Sequence, residues 1–260
     1  MPRIFLPPYQ CKDKTISIVG EKARYLRSVL RCEIGDNISI FEGEGNCLRT
    51  VIMKTDKKEI VVEVLEKFGC DVESHFHIVL VQSLLKGEKM DWVIQKTTEL
   101  GVNEVMPAIS ERSQLRSTKK IERWRKIAEE ASRQSGRTVI PSIHEPINLN
   151  EMMGNQFLLQ GFIFHEEGGI RLSDAIEVIK QTYNPSNPPF SNPPLPPFSK
   201  GGREGLLVVI GPEGGFTKEE VNFARQKGLI VTSLGRRILR AETAAIAAVI
   251  LTQFLLGDLG

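Results

Sequence analysis

Three arginines and a glutamate crowd the segment Leu234-Gly-Arg-Arg-Ile-Leu-Arg-Ala-Glu-Thr-Ala244. Arg236, Arg237 and Arg240 stand at the entrance of a helix read over 241–256, with Glu242 in its first turn. Cations at a helix N-terminus oppose the helix dipole, so stability alone does not account for them. Binding of an anionic substrate does. A second segment, Leu206-Leu-Val-Val-Ile-Gly-Pro-Glu-Gly-Gly-Phe-Thr217, runs from five apolar residues into Gly211, Pro212, Glu213, Gly214 and Gly215. Thr217 stands three residues before Glu220, the spacing of a capping box that starts the next helix. Glycines there let the backbone approach a ligand closely. The loop has neither the P-loop spacing nor the G-x-G-x-x-G dinucleotide spacing, and such a turn also serves purely structural ends. A third segment, His165-Glu-Glu-Gly-Gly169, follows another apolar run.

These segments need elements to position them. From about residue 76, strand-like runs (77–82, 104–107, 157–164, 206–210, 229–233) alternate with helix-like ones (88–100, 118–135, 173–181, 217–227, 241–256). That rhythm predicts an α/β fold on a parallel sheet, whose carboxyl strand ends are where ligands bind. Three glycine-containing strand ends could then line one pocket. Residues 1–75 read differently, as short strands at 3–6, 15–19, 37–41, 47–53 and 60–65, separated by turns. One helix over 21–31 interrupts them, with Ala23, Leu26, Val29 and Leu30 on an apolar face. The predicted domains are therefore 1–75, a small β-barrel, and 76–260, an α/β domain. Residues 184–204 fit neither pattern: they hold seven of the fourteen prolines and repeat Asn-Pro-Pro, which marks a low-complexity insertion in a surface loop. The helix over 241–256 is apolar around most of its circumference, which predicts burial on several sides.

The net charge of +2 hides an uneven distribution. Residues 1–35 carry seven lysines and arginines against three acids, 36–75 carry five against nine, and 110–137 carry nine against four. Basic blocks of this kind suit a polyanion, and equally a solvated helix face. With 41% hydrophobic and 25% charged residues, wholesale disorder is excluded. No apolar run reaches the ~18–20 residues of a membrane span, and the first residues lack a signal-peptide pattern, so a cytoplasmic protein is expected. Cys11, Cys32, Cys47 and Cys70 form no C-x-x-C pair, and His75 and His77 complete no zinc spacing, so reduced thiols and no metal are expected.

GPEGG at 211–215 and LGRRILRAETA at 234–244 resemble the SPOUT (trefoil-knot) methyltransferases. Within them the chain is similar to the bacterial 16S rRNA (uracil-1498-N3)-methyltransferase family. Further matches are MPRIF at 1–5, VLR at 29–31, GEKMD at 87–91, IQKTTELGV at 94–102, SERS at 110–113 and RQSGR at 133–137. They span nearly the whole chain apart from 184–204. The resemblance implies an α/β fold: a trefoil-knotted parallel-sheet methyltransferase domain preceded by a PUA-like β-barrel. It also implies S-adenosyl-L-methionine as cofactor, a homodimer, and 16S rRNA of the small ribosomal subunit as partner.

The implied cofactor site maps onto Phe164, His165, Ile210, Gly211, Pro212, Glu213, Gly214, Gly215, Leu234, Gly235, Ile238 and Leu239. The methyl group comes already activated on the cofactor. The protein must then splay out the uridine, place N3, and help remove its proton. Arg240 is the first candidate to bind the uracil carbonyls. Glu242 is a candidate proton acceptor or orienter of Arg240, and equally a first-turn carboxylate suited to the helix dipole. RNA contacts would come from Arg3, Arg24, Arg31, Arg112, Arg133 and Arg137, each of which taken singly also reads as a plain surface residue. Two other functions stay open on the residues: a non-catalytic RNA-binding or ribosome-assembly protein, and an enzyme methylating a ribose 2′-hydroxyl. Tight cofactor binding separates the first of these from a methyltransferase.

Overall fold

Alternating buried and exposed side chains dominate the first seventy residues, and long fully buried runs dominate the strands that follow. In the computed structural model, which describes residues 1–70, 72–74, 76–154, 160–182 and 206–259, the chain divides accordingly into two units. The Pro-rich stretch 184–204 and residues 157–159 of the expected strand lie outside the described residues.

Unit 1 comprises Met1–Glu73 and Ser132–Ile140. Its strands are β1 (Arg3–Phe5), β2 (Thr15–Val19), β3 (Asn37–Phe41), β4 (Asn46–Thr55) and β5 (Glu59–Gly69), in the order β1-β3-β4-β5-β2. Only β1 and β3 run parallel. The inward residues Ile4, Ile16, Ile18, Ile38, Ile40, Leu48, Ile52, Ile60 and Val62 share one core with Ala23 and Leu26. The helix expected over 21–31 is two pieces. An α-helical α1 (Gly20–Arg24) passes into one π-helical turn over Tyr25–Val29, where the Leu30 amide bonds to the Tyr25 carbonyl. The wider turn rotates later side chains off the inward stripe. Ala23 and Leu26 are buried as expected, but Val29 is 64% exposed and Leu30 36%.

Residues 132–140 join this unit through Glu73. Its carboxylate accepts from Arg137 Nε (2.9 Å) and Nη2 (2.7 Å) and from the amides of Thr138 (2.6 Å) and Val139 (2.9 Å). Arg137 is only 4% exposed. The expectation that it contacts RNA is therefore corrected: a guanidinium enclosed against a carboxylate has no free face for a phosphate. Arg3 donates to the Arg137 carbonyl (2.6 Å) and lies 4.6 Å from the Phe41 ring centre.

Unit 2 comprises Ser74–Ala131 and Pro141–Gly260. Its strands are β6 (Ile78–Ser83), β7 (Glu104–Ile109), β8 (Ser142–Ile143), β9 (Ile147–Asn148), β10 (Gly161–Phe164), β11 (Ile170–Arg171), β12 (Leu206–Ile210) and β13 (Ile230–Ser233). Their order is β11-β13-β10-β12-β6-β7-β8, with β9 also on β7, and every pairing is parallel. All side chains of β6, β10 and β12 are buried, as central parallel strands covered on both faces require. The helices are α2 (Lys89–Glu99), α3 (Ile121–Ser135), α4 (Leu149–Gly154), α5 (Leu172–Thr182), α6 (Lys218–Gln226) and α7 (Ala241–Leu256). The last four residues of α3 belong to unit 1. The α/β class with a parallel sheet, preceded by a small β unit, is the one expected.

Helix α7 packs on α2, α5 and β12 through Ala241, Ala245, Ala248, Val249, Thr252 and Gln253. It is not buried on all sides within one chain: Ile250, Leu251 and Phe254 are exposed. At the amino ends of the strands, the buried Glu104 receives His77 Nε2 (2.9 Å) and His144 Nε2 (2.6 Å). Burial alone would raise the Glu104 carboxyl; the bonds from His144 and His77 overcome it and bring the pKa down to about 2. No helix is long and apolar enough to cross a membrane, and no group of histidine, cysteine, aspartate or glutamate side chains is placed to hold a metal, among the described residues.

Candidate active site

The carboxyl end of β12 delivers the glycine-rich loop, and three neighbours hold it. Thr217 caps α6 through the expected box: its Oγ1 accepts from the Glu220 amide (3.2 Å), and its amide donates to Glu220 Oε2 (2.9 Å). Glu220 Oε1 takes the Glu111 amide (2.8 Å), which ties the box to the segment after β7. From that segment Arg112 Nη1 donates to the carbonyls of Gly214 (3.1 Å) and Phe216 (3.4 Å). The fully buried Gln82, at the end of β6, donates to the Gly211 carbonyl (3.2 Å).

In front of this loop lies a cavity of about 410 Å³. Phe164 and Glu166 enter it from the end of β10, Ile210 to Phe216 from β12 and its loop, and Ile238, Leu239, Arg240, Ala241, Glu242 and Ala244 from the start of α7. Lys89, at the start of α2, completes the wall. Lys89 Nζ lies 2.8 Å from Glu213 Oε1 and 3.9 Å from Glu242 Oε2. The Lys86 amide also donates to Glu213 Oε1 (3.2 Å). Burial would raise the Glu213 carboxyl, but the Lys89 hydrogen bond and backbone amides outweigh it and hold the carboxyl below the usual range. The same hydrogen bond raises the Lys89 ammonium. Glu242 Oε2 is buried and has no hydrogen-bond partner among the described residues.

Of the residues expected at a cofactor site, Phe164, Ile210, Gly211, Pro212, Glu213, Gly214, Gly215, Ile238 and Leu239 line this cavity. His165, Leu234 and Gly235 do not: the His165 amide bonds to the Thr232 carbonyl (3.0 Å) and the Gly235 amide to Ser233 Oγ (3.2 Å). Arg240 and Glu242, expected to act together, line it together. Sequence reasoning misses Lys89, Glu166, Phe216, Ala241 and Ala244. Lys89 stands inside the GEKMD motif, so its place in a motif is visible, though its partners are not. Of the arginines expected at RNA, Arg24 and Arg31 are exposed on unit 1, while Arg133 bonds to the Tyr25 hydroxyl (2.8 Å). Arg112, on unit 2, is exposed yet engages loop carbonyls.

The cavity suits an organic ligand gripped largely by main chain. Its volume falls within the ~300–1,000 Å³ of ordinary ligand sites. At Gly215, where φ is +68°, a Cβ would stand 3.2 Å from Glu166 Oε1, and at Gly214 one would stand 3.2 Å from Arg112 Cβ. At Gly215 the positive φ disfavours any side chain, and at Gly214 one would press on Arg112, so the backbone there is best left bare.

Comparison with known proteins assigns this arrangement to a class. A family model for an RNA methyltransferase domain matches residues 72–253, and one for an RNA methyltransferase PUA domain matches residues 18–65. Fold and site thus define an α/β RNA methyltransferase carrying a PUA domain. The ribosomal RNA small subunit methyltransferase E of Buchnera aphidicola is 31% identical over 99% of this chain and 95% of its own length. That of Bacillus subtilis is 30% identical over 94% of this chain and 93% of its own. The crystal structure of the Neisseria gonorrhoeae protein of the same name, bound to S-adenosyl methionine, matches with a TM-score of 0.81 at 30% identity, covering 98% of each chain. The chain belongs to the ribosomal RNA small subunit methyltransferase E family.

Proposed function

We propose that this protein methylates N3 of one uridine, of the 1498 type, in the 16S rRNA of the small ribosomal subunit, with S-adenosyl-L-methionine as methyl donor. The observation that carries this reading is the cavity at the strand ends, which Gly211, Gly214 and Gly215 line with bare backbone alongside Arg240 and a Glu242 oxygen that has no hydrogen-bond donor among the described residues. It is the kind of site a methyltransferase needs: main chain for a nucleoside-like cofactor and charged side chains for the base. A small-subunit substrate and S-adenosyl methionine are what the names of the relatives and of the Neisseria structure carry.

When bound, the cofactor supplies a methyl group already activated on sulfur. The loop amides and carbonyls, braced by Arg112 and Gln82, hold it without side-chain interference. The apolar side chains of Phe164 and Leu239 in the cavity wall limit water around it. Arg240 donates to a uracil carbonyl and favours the charge that grows on the base as N3 loses its proton. Glu242 Oε2 takes that proton and passes it to water afterwards. Arg24 and Arg31 supply phosphate contacts, which position the RNA without reading its sequence. The exposed Ile250, Leu251 and Phe254 of α7 are the face for a second copy in a homodimer, and the site of action is the cytoplasm. Purified protein, labelled S-adenosylmethionine and small-subunit particles, followed by nucleoside analysis, test the reading: N3-methyluridine is the expected product. A 2′-O-methylated nucleoside, or no labelled nucleoside, would reject it.

A further inference from the structure

The cavity holds a charged group, Lys89, that the methyl-transfer step above leaves without a role. Lys89 Nζ is anchored by Glu213 at 2.8 Å, so its position in the wall is set from the glycine-rich loop. It lies 3.9 Å from Glu242 Oε2, too far for a hydrogen bond, and that oxygen is buried with no donor among the described residues. Arg240, two residues before Glu242, lines the same cavity. A buried carboxylate oxygen left without a donor is costly, so the wall is completed by a donor from outside. The set offers two cationic donors and one acceptor.

The imide edge of uracil is the complement: two carbonyl acceptors, O4 and O2, flank one N3–H donor. Cytosine presents a different edge, with an amino donor at position 4 and a bare N3 lone pair. Against this wall, cytosine would set its N3 lone pair against a carboxylate oxygen and its amino group against a cation. We propose that Lys89, Glu242 and Arg240 read the imide edge, so that selection of uridine over cytidine is a property of this cavity. Lys89 is thereby a specificity-determining residue as well as an anchor of the loop. The inference rests on the uridine reading above and adds the residues that choose the base.

Binding tests it without turnover. Small-subunit particles carrying either uridine or cytidine at the methylated position are titrated with the protein in the presence of S-adenosylhomocysteine. The wild-type protein is expected to bind the uridine form roughly ten- to a hundredfold more tightly, the range that one mismatched hydrogen-bonded edge commands. Glu242→Gln offers an amide in place of the carboxylate, so it should weaken the uridine form, strengthen the cytidine form and bring the ratio near one. Lys89→Met removes one cation from a partly exposed side chain and supplies a second, independent variant should Glu242→Gln misfold; thermal unfolding of each variant checks the fold before titration. Of Lys89→Met and Arg240→Ala, one should lower the ratio and the other should weaken both forms alike, because O2 is common to both bases. Equal binding of both forms by the wild type, or variants that weaken both forms by the same factor throughout, would overturn the proposal. If N3-methyluridine forms but the ratios do not move, the base-reading set is wrong and the reaction stands. If no N3-methyluridine forms, the underlying reading has failed.

Discussion

Replacing Gly215 with valine strikes the loop where its conformation is most demanding. The residue sits at φ +68°, a region in which a side chain costs roughly 1–2 kcal/mol, and β-branched residues are least tolerated there. The added Cβ would also approach Glu166 Oε1 to 3.2 Å, a few tenths of an ångström tighter than ordinary contact. Glu166 is exposed and can swing aside, so the backbone strain decides the magnitude. The strained loop relaxes in the free protein and must be forced back to bind cofactor, which converts about 1–2 kcal/mol into a roughly 5- to 30-fold weaker affinity. Global stability should change less than affinity, because Gly215 itself is not a member of the packed cluster of Val79, Val81, Ile163, Val209 and Phe216 that the chain enters at the next residue. Calorimetric titration with S-adenosylmethionine reads the affinity, and thermal unfolding reads the fold. Gly215→Ala should lie between wild type and valine. Unchanged affinity in a folded Gly215→Val protein would place the cofactor elsewhere and refute the reasoning.

Three other outcomes follow from the same geometry. Glu104, with its pKa drawn down to about 2, should contribute about 3 kcal/mol that is fully present above its unfolded value near 4.5 and is lost as pH falls toward 2. Urea unfolding of Glu104→Gln should therefore lack the wild type's loss of stability across that window, and parallel pH profiles would disprove it. Arg137→Ala should cost about 3 kcal/mol or more, because it leaves Glu73 without its cation, and should not alter the salt dependence of RNA binding; a shallower salt slope would return Arg137 to the phosphate contacts. Arg24→Ala and Arg31→Ala should each reduce the log–log salt slope by roughly 0.7–0.9 while leaving cofactor affinity unchanged, measured by RNA titration at several salt concentrations.

Strand β12 and helix α7 have the bounds that their apolar runs predict, and the Thr217 box forms as spelled. These features are local: a buried parallel strand, a capping pair and a helical stretch each carry their signal within a few residues. What stays illegible in the sequence is long-range. Arg137 reads as one more exposed cation because its partner, Glu73, lies 64 residues earlier. Lys89 reads as a helix-start lysine because Glu213, its anchor, lies 124 residues later. The π-helical turn over Tyr25–Val29 leaves no mark in composition, since its residues suit an α-helix equally, and only its effect shows, in the exposure of Val29. His165, Leu234 and Gly235 flank cavity residues in sequence, yet they stand outside the cavity wall, with the His165 and Gly235 amides bonded to Thr232 and Ser233.

The central claim is that the cavity between the 211–215 loop and the start of α7 is where the base is methylated, and the single-turnover rate of Arg240→Ala at saturating RNA tests it most directly. If Arg240 stabilises the reacting uracil, its interaction strengthens as charge develops on the base, so the rate should fall by about 10²–10³ with RNA affinity little changed. An Arg240→Ala protein that binds RNA weakly but reacts at the wild-type rate once saturated would make Arg240 a phosphate contact and move the chemistry out of this cavity.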